Sequence, residues 1–358
     1  MKQRTRNIFF LFGIVAIVVM ILTFKVSFVE MWHHIQHAGY WLYAILGMWI
    51  VLYFLNAVTW RIIIKGSGTC PISFSKLYKV TISGFALNYA TPAGLMGGEP
   101  YRIMELAPYI GRERATSSVL LFAMMHIFAH FWYWLTTVIL FIIFIPLDLQ
   151  MIMALLCVTF FSLAGIYLFL RGYNNGMVVR VIKAVSKVPG CKRRGVQFLN
   201  KHIDELNAID QQIAHLHRQN KQSFYSSFAL EYVGRILQSF EIFFMLRLVG
   251  IQGTMPQLFM YALIILSLTS FLANMLFFMP LQIGGREGGF AMSTVAMKMV
   301  GATGVVLTLK EAMTIAVFIS IICRIRELVW TSIGLLLMKV GTKVNDNGND
   351  NCNDNDKG

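Results

Sequence analysis

Apolar residues run in blocks of about 20, separated by short charged stretches, and this is the spacing of membrane-crossing helices. Blocks near the length that crosses about 30 Å of hydrocarbon fall at 7–24, 40–64, 117–145, 150–170, 224–248 and 312–338. An outer-membrane barrel would instead show alternation over segments of about 10 residues. Two further stretches, 78–108 and 257–300, are apolar but interrupted by Gly and Pro. The pattern predicts an all-α polytopic membrane protein with about six full spans and two broken segments.

Lys and Arg orient the set. The N-terminus carries Lys2, Arg4 and Arg6, the connection after the second span carries Arg61, Lys65, Lys76 and Lys79, and residues 171–222 carry ten basic residues. Cytoplasmic connections are the basic ones, so these three regions are expected inside. The opposite connections, 25–39, 146–149 and 249–256, hold only Lys25. With Lys339 and Lys343 opening the tail, both termini are expected in the cytoplasm.

Tyr40, Trp41 and Tyr43 at the head of the second span fit an interfacial aromatic belt. Trp132, Tyr133 and Trp134 fall mid-span, where packing between helices is the favoured reading. Within 171–222, Val196, Leu199, Ile203, Leu206, Ile209, Ile213 and Leu216 recur at helical spacing, as in an amphipathic helix lying on the membrane. The Asn/Asp/Gly-rich stretch 345–358 has no apolar surface to bury and is expected to be disordered. The domain organisation is then one transmembrane domain over 1–344. Its first repeat covers about 40–170, the linker 171–222 and the second repeat about 223–338.

Composition narrows the chemistry. The 358 residues are 57% hydrophobic and 13% charged, with mean hydropathy +0.63, against roughly 25% charged residues in soluble domains. The net charge of +14 is read as basic loops facing anionic lipid, and no nucleic acid partner is expected. Cys70, Cys157, Cys191, Cys323 and Cys352 lack paired spacing, so neither a disulfide framework nor a thiolate metal site is suggested. The run Ile8–Phe24 follows a basic start without a small-residue cleavage site, and is read as a retained span.

The interrupted segments carry the information. The first reads from Asn88 through Pro92, Gly97, Gly98 and Glu99 to Arg102; the second reads from Asn274 through Pro280, Gly284, Gly285, Arg286 and Glu287 to Gly288. With Pro92 set on Pro280, Gly97 falls on Gly285 and Glu99 on Glu287, so P-x4-G-x-E occurs twice. A span precedes and follows each copy, and the first unit starts outside while the second starts inside. The expected arrangement is an inverted repeat with re-entrant hairpins, the sequence pointer to a transporter site at the bilayer midplane. Pro and Gly leave backbone groups unpaired there, which is tolerable only beside a cavity or within protein.

Carboxylates at membrane depth cost several kcal/mol, by order of magnitude, unless paired. As partners for Glu99 and Glu287 the sequence offers His126 and His130 on the following span, and Arg324 and Glu327 on the last. Glu231 and Arg235, at i and i+4, could satisfy each other within one helix. His126 and His130 have metal-ligand spacing, but two ligands without a third do not make a site. No metal or cofactor is expected.

At these segments the sequence resembles the transmembrane region of the lysylphosphatidylglycerol synthase family, also called flippase-like membrane proteins. The likeness rests on Asn88 with Pro92-Ala-Gly and the Gly98-Glu99 step, on Pro280 with Gly284-Gly285-Arg286-Glu287-Gly288, and on Arg324, and it covers about residues 10–338. It implies a polytopic inner-membrane protein acting on lipid or lipid-linked molecules. Full-architecture members couple this region to a soluble aminoacyl-transferase domain that attaches lysine to phosphatidylglycerol. About 20 residues follow the last span here, so no such domain is expected.

The expected function is a lipid flippase or scramblase-like transporter rather than an enzyme. Glu99, Glu287, Arg286 and Arg324 would contact the head group, with a guanidinium suited to two-point recognition of phosphate. Absence of a Walker motif leaves movement passive or ion-coupled. Two alternatives stand beside it. One is an intramembrane enzyme using Glu99 or Glu287 as general base with His126, carrying out lipid aminoacylation or glycosyl transfer by family analogy. The other is a non-catalytic scaffold for envelope biosynthesis enzymes. The expected partners are membrane lipids, with an anionic or lipid-linked substrate.

Overall fold

A computed structural model describes residues 28–90, 97–175, 221–275, 285–302 and 304–339, together with four isolated positions. The expected first span at 7–24, the amphipathic linker, the tail, and Pro92, Pro280 and Gly284 of the breaks lie outside the described residues. The described chain forms nine helices: α1 Phe28–Gly66, α2 Phe74–Ala90, α3 Gly98–Ile110, α4 Arg112–Phe144, α5 Leu149–Asn175, α6 Lys221–Leu248, α7 Met255–Met275, α8 Gly285–Ala296 and α9 Leu309–Lys339. Among the described residues the only β pairing is an isolated bridge between Val300 and Val306.

Local chemistry sets the boundaries. Gly39, at φ 51° and ψ −139°, breaks α1 just before the aromatic belt. Pro108 occupies the last turn of α3, and Gly111 at φ 81° ends it with its N–H bonded to the Ala107 carbonyl. Ile145 leaves α4 in extended backbone, the conformation that the following Pro146 imposes on its predecessor. Asp148 then caps α5, accepting from the Met151 N–H at 2.8 Å. Helix α6 closes with paired bonds from Gly250 N to Arg247 O and from Ile251 N to Leu246 O, a glycine-terminated helix end. Thr308 and Glu311 open α9 reciprocally: Glu311 accepts from the Thr308 N–H at 2.9 Å, and the Glu311 N–H lies 3.4 Å from the Thr308 hydroxyl.

Among the described residues four helices are long and apolar enough to cross a membrane, covering Gly39–Gly66, Arg112–Phe144, Met151–Arg171 and Met255–Met275. Three coincide with expected spans. The fourth corrects the reading of 257–300, because its leading part is one uninterrupted apolar helix of 21 residues. The expected spans at 224–248 and 312–338 are helices of 28 and 31 residues, about 42 and 46 Å long at 1.5 Å per residue. Their charged residues keep them outside the apolar set: Glu231, Arg235, Glu241 and Arg247 in α6, and Arg324, Arg326 and Glu327 in α9.

Each break separates two helices that pack on each other, α2 with α3 and α7 with α8. Helix α1 makes its broadest contact with α6, α9 lies along α2, and α4 touches α7. One apolar core gathers Tyr133 and Trp134 with side chains of α6 to α9; another joins Trp60, Leu77, Leu106, Phe122 and Phe128 of α1 to α4. Tyr133 and Trp134 are buried, as the mid-span reading anticipates, while Trp132 is exposed.

Glycine permits the closest approaches. A Cβ on Gly98 would lie 2.0 Å from the Gly84 carbonyl oxygen, and one on Gly334 would lie 2.5 Å from the Ala86 Cβ. Gly98→Ala is therefore expected to destabilise the detergent-solubilised protein by about 1–3 kcal/mol, as overpacking does. Gly47→Ala, where an added Cβ meets nothing within 4 Å, should leave the thermal midpoint unchanged or raised. Equal midpoints for the two variants would refute this α2–α3 contact.

Candidate functional site

Three polar clusters lie within the bundle. The first is built on Glu327, on the buried face of α9. Its Oε1 lies 2.5 Å from Arg286 Nη1 of α8, and its Oε2 lies 2.7 Å from Arg324 Nη1 one turn earlier. Arg326 Nη1 approaches Oε1 at 3.9 Å, while Arg326 Nε donates to Glu241 Oε1 of α6 at 2.9 Å. The Trp49 indole of α1 donates to Glu241 Oε2 at 3.2 Å, and its ring lies 4.1 Å from the Arg326 guanidinium carbon. One carboxylate thus ties α8 to α9, and the Trp49–Glu241–Arg326 set adds α1 and α6. Glu287, the residue after Arg286, hydrogen-bonds to Ser320 of α9.

The second cluster lies at the break between α2 and α3. Asn88 bridges it: Oδ1 accepts from the Gly98 N–H at 2.6 Å, and Nδ2 donates to Glu99 Oε1 at 3.0 Å. The first N–H groups of a helix have no partner inside the helix, so Asn88 both caps α3 and orients its carboxylate. Arg102, one turn on, lies 3.6 Å from the same oxygen. Its guanidinium is buried against the rings of Phe85 at 4.5 Å and Phe122 at 5.5 Å, an arrangement that aromatic faces favour for a cation.

The third cluster sits between α4 and α6. Glu231 Oε2 lies 2.8 Å from His126 Nδ1. Arg235 contacts the same imidazole through Nη2 and donates through Nη1 to Gln238 Oε1 at 2.8 Å. His130 donates from Nδ1 to the His126 carbonyl at 2.9 Å. A cavity of about 80 Å³ opens here, its wall including Asn56, Thr59, Tyr89, His126, Glu231 and Arg235.

Some expected pairings differ. Glu99 is held by Asn88 and Arg102 instead of a histidine, because its own helix start brings those groups nearer. His126 goes to Glu231, and the expected bond between Glu231 and Arg235 is replaced by a chain through the imidazole. Arg286, Arg324 and Glu327 do come together, as three parts of one ion cluster. Gly97 and Gly285 sit at the starts of α3 and α8, beside the breaks. Arg326, Glu241, Trp49, Asn56 and Thr59 were not singled out from sequence. Charge inside an apolar block signals the first two, whereas nothing in the sequence marks the other three.

Among the described residues no group of three or more His, Cys, Asp or Glu side chains is placed to hold a metal ion. The fold and these clusters define an integral membrane protein whose membrane-length helices enclose a charged, hydrogen-bonded interior. The chain belongs to the family described as the lysylphosphatidylglycerol synthase TM region, whose model matches residues 10–323. No curated protein and no solved structure matches the chain.

Removing one partner of a buried ion pair costs about 3–5 kcal/mol. Glu327→Gln is expected to lose stability on that scale, since it strips charge from beside Arg286, Arg324 and Arg326. Trp49→Phe keeps a ring over Arg326 but removes one bond to a charged group, about 1.5–3 kcal/mol. Thermal melts in detergent should order the variants that way, and a wild-type midpoint for Glu327→Gln would refute the central role of this carboxylate.

Proposed function

We propose that the chain is a flippase-like or scramblase-like transporter that moves a polar-headed phospholipid or lipid-linked molecule across the inner membrane. The observation that carries the reading is the convergence on Glu327 of arginines from α8 and α9, beside the cavity between α1, α2, α4 and α6. Paired charges of this density are costly in a lipid-surrounded bundle, and intramembrane ionisable groups mark substrate pathways. Arg286 and Arg324 present guanidinium groups suited to a phosphate. Glu99 and Glu287 hold positions that would bind an amine or steady the arginines.

The pairing of helices supports an inverted repeat. On this reading α1 to α4 correspond to α6 to α9, the first helices of the two units pair, and the last helix of each unit packs on the second helix of the other. Helices α2, α3 and α8 are about 26, 20 and 18 Å long at 1.5 Å per residue, too short to cross about 30 Å of hydrocarbon. The breaks then fall at membrane depth, with α7 as a longer arm of the second hairpin. The base of the first hairpin is basic: Arg114 donates to the Thr69 carbonyl at 3.1 Å, and Lys76 meets Tyr109. On this reading that end faces the cytoplasm, which the distribution of Lys and Arg favours, with both termini on the same side.

Liposomes carrying head-group-labelled fluorescent lipids test the reading with a quencher added outside. Wild-type protein should abolish inner-leaflet protection for at least one lipid. Arg286→Gln, and the double variant Glu99→Gln with Glu287→Gln, should slow the loss at least tenfold while eluting as folded protein. Full protection by the wild type across anionic, zwitterionic and cationic lipids would overturn transport, and unaltered rates in the variants would move the pathway elsewhere.

A further inference from the structure

The cavity between α1, α2, α4 and α6 contains an ion pair that has been opened. Glu231 and Arg235 are one turn apart on α6, a spacing that allows direct pairing, yet His126 of α4 stands between them. A carboxylate only accepts and a guanidinium only donates. A neutral imidazole with its hydrogen on Nδ1 suits both neighbours: Nδ1 donates to Glu231 Oε2 at 2.8 Å, and Arg235 Nη2, 2.9 Å from Nδ1, approaches Nε2 more closely still. His126 is thus a neutral imidazole with both nitrogens engaged.

That arrangement leaves specific groups unsatisfied. Glu231 is buried, and its Oε1 has no hydrogen-bond partner among the described residues. The same holds for Asn56 Oδ1 and Thr59 Oγ1, whose side chains belong to the same cavity wall. Asn56 cannot turn its amide to help, because Nδ2 donates to the Leu52 carbonyl at 2.8 Å. The hydrogen-bond partners of Arg235, His126 and Gln238, are both neutral. The wall therefore combines three oxygens without a partner, of which only the Thr59 hydroxyl carries a hydrogen, with a cation that lacks a hydrogen-bonded anion. At about 80 Å³, the cavity exceeds the roughly 10–15 Å³ that one water needs on the same measure.

We propose that this cavity is a proton-coupled anion subsite, in which Glu231 takes up one proton as Arg235 takes a phosphate-class anion. The step balances simply. A hydronium ion reaching the cavity gives its proton to Glu231 Oε1 and leaves as water, an O–H bond forms, and no covalent bond to the anion is made. The carboxylic acid adds a second donor to a wall where only the Thr59 hydroxyl carries a hydrogen and the Asn56 oxygen has no partner, while His126 goes on donating to Oε2. Glu231 and Arg235 together pass from neutral to one positive charge, and the anion restores neutrality.

A proton suits the surroundings better than a metal ion. The charged groups acting on Glu231 are Arg235 of its own helix and Arg102 of α3, and a bound metal cation would face both. Helix α1 brings the Asn56 amide and Thr59 hydroxyl, α2 the Tyr89 phenol, and α4 the imidazoles of His126 and His130. Helix α7, the remaining helix packed on α6, has no Asp, Glu, Lys, Arg or His. This inference rests on the transport reading for its cargo alone; the proton site stands on the geometry.

Infrared difference spectra of the full chain in nanodiscs, taken between about pH 3 and pH 8 so as to bracket the ordinary glutamate value of about 4.3, read the proton directly. A carboxylic-acid C=O band should grow when inorganic phosphate or phosphatidylglycerol is added, and should be absent in Glu231→Gln. A response to inorganic phosphate identifies a free-anion site; a response to phosphatidylglycerol alone identifies a lipid head group. Arg235→Gln should weaken the anion-induced band at least tenfold. His126→Gln should keep the band but shift the pH at which it appears, which also tests the site should Glu231→Gln fail to fold. No band in the wild type, a band surviving in folded Glu231→Gln, or an unmoved pH in His126→Gln would overturn the proposal. In the liposome assay, translocation by Glu231→Gln should lose its pH dependence. Retained dependence would overturn the proton site while leaving transport in place, and a Glu231 band without translocation would support the site and remove transport.

Discussion

Burial of ionised side chains inside an apolar bundle is the constraint on which the rest of the molecule depends. Charged side chains taken out of water are costly unless paired and hydrogen-bonded, and α6 and α9 carry several each. The structure answers by matching them across helices. Glu327 joins Arg286 and Arg324, Glu241 takes Arg326, and Trp49 serves both members of that pair. Since the partners come from α1, α6, α8 and α9, each helix is stable in place only when the others are. The cluster acts as a lock on the bundle as well as a polar surface within it.

The same constraint shapes the α2–α3 pair. The start of a buried helix needs partners for its leading N–H groups, and Asn88 supplies one while holding Glu99. Gly98 makes this possible, because a side chain there would collide with the α2 backbone. Arg102 then lies among aromatic rings with Glu99 in reach. Capping, glycine contact and ion pairing are one solution at one turn, so substitution at Gly98 or Asn88 disturbs all three.

The third cluster pairs its charges indirectly. Glu231 and Arg235 share a histidine instead of each other, and oxygens of Glu231, Asn56 and Thr59 go without a hydrogen-bond partner among the described residues. This incompletely paired region coincides with the cavity. It is where a proton and an anion would improve the hydrogen bonding.

The sequence by itself determined the helical membrane class, the family, and the existence of two broken segments bearing Glu99 and Glu287. Each is written in local order: block length, charge between blocks, and Gly and Pro at fixed offsets. Helices α1, α4 and α5 follow the expected spans closely, because hydropathy and local caps fix them. The tertiary structure alone decided the partners. Nothing local says that Trp49 meets Glu241, 192 positions away, or that His126 separates Glu231 from Arg235. Ion pairs and cavities form between faces of different helices, and side-chain spacing within one helix cannot report which face another helix will bring.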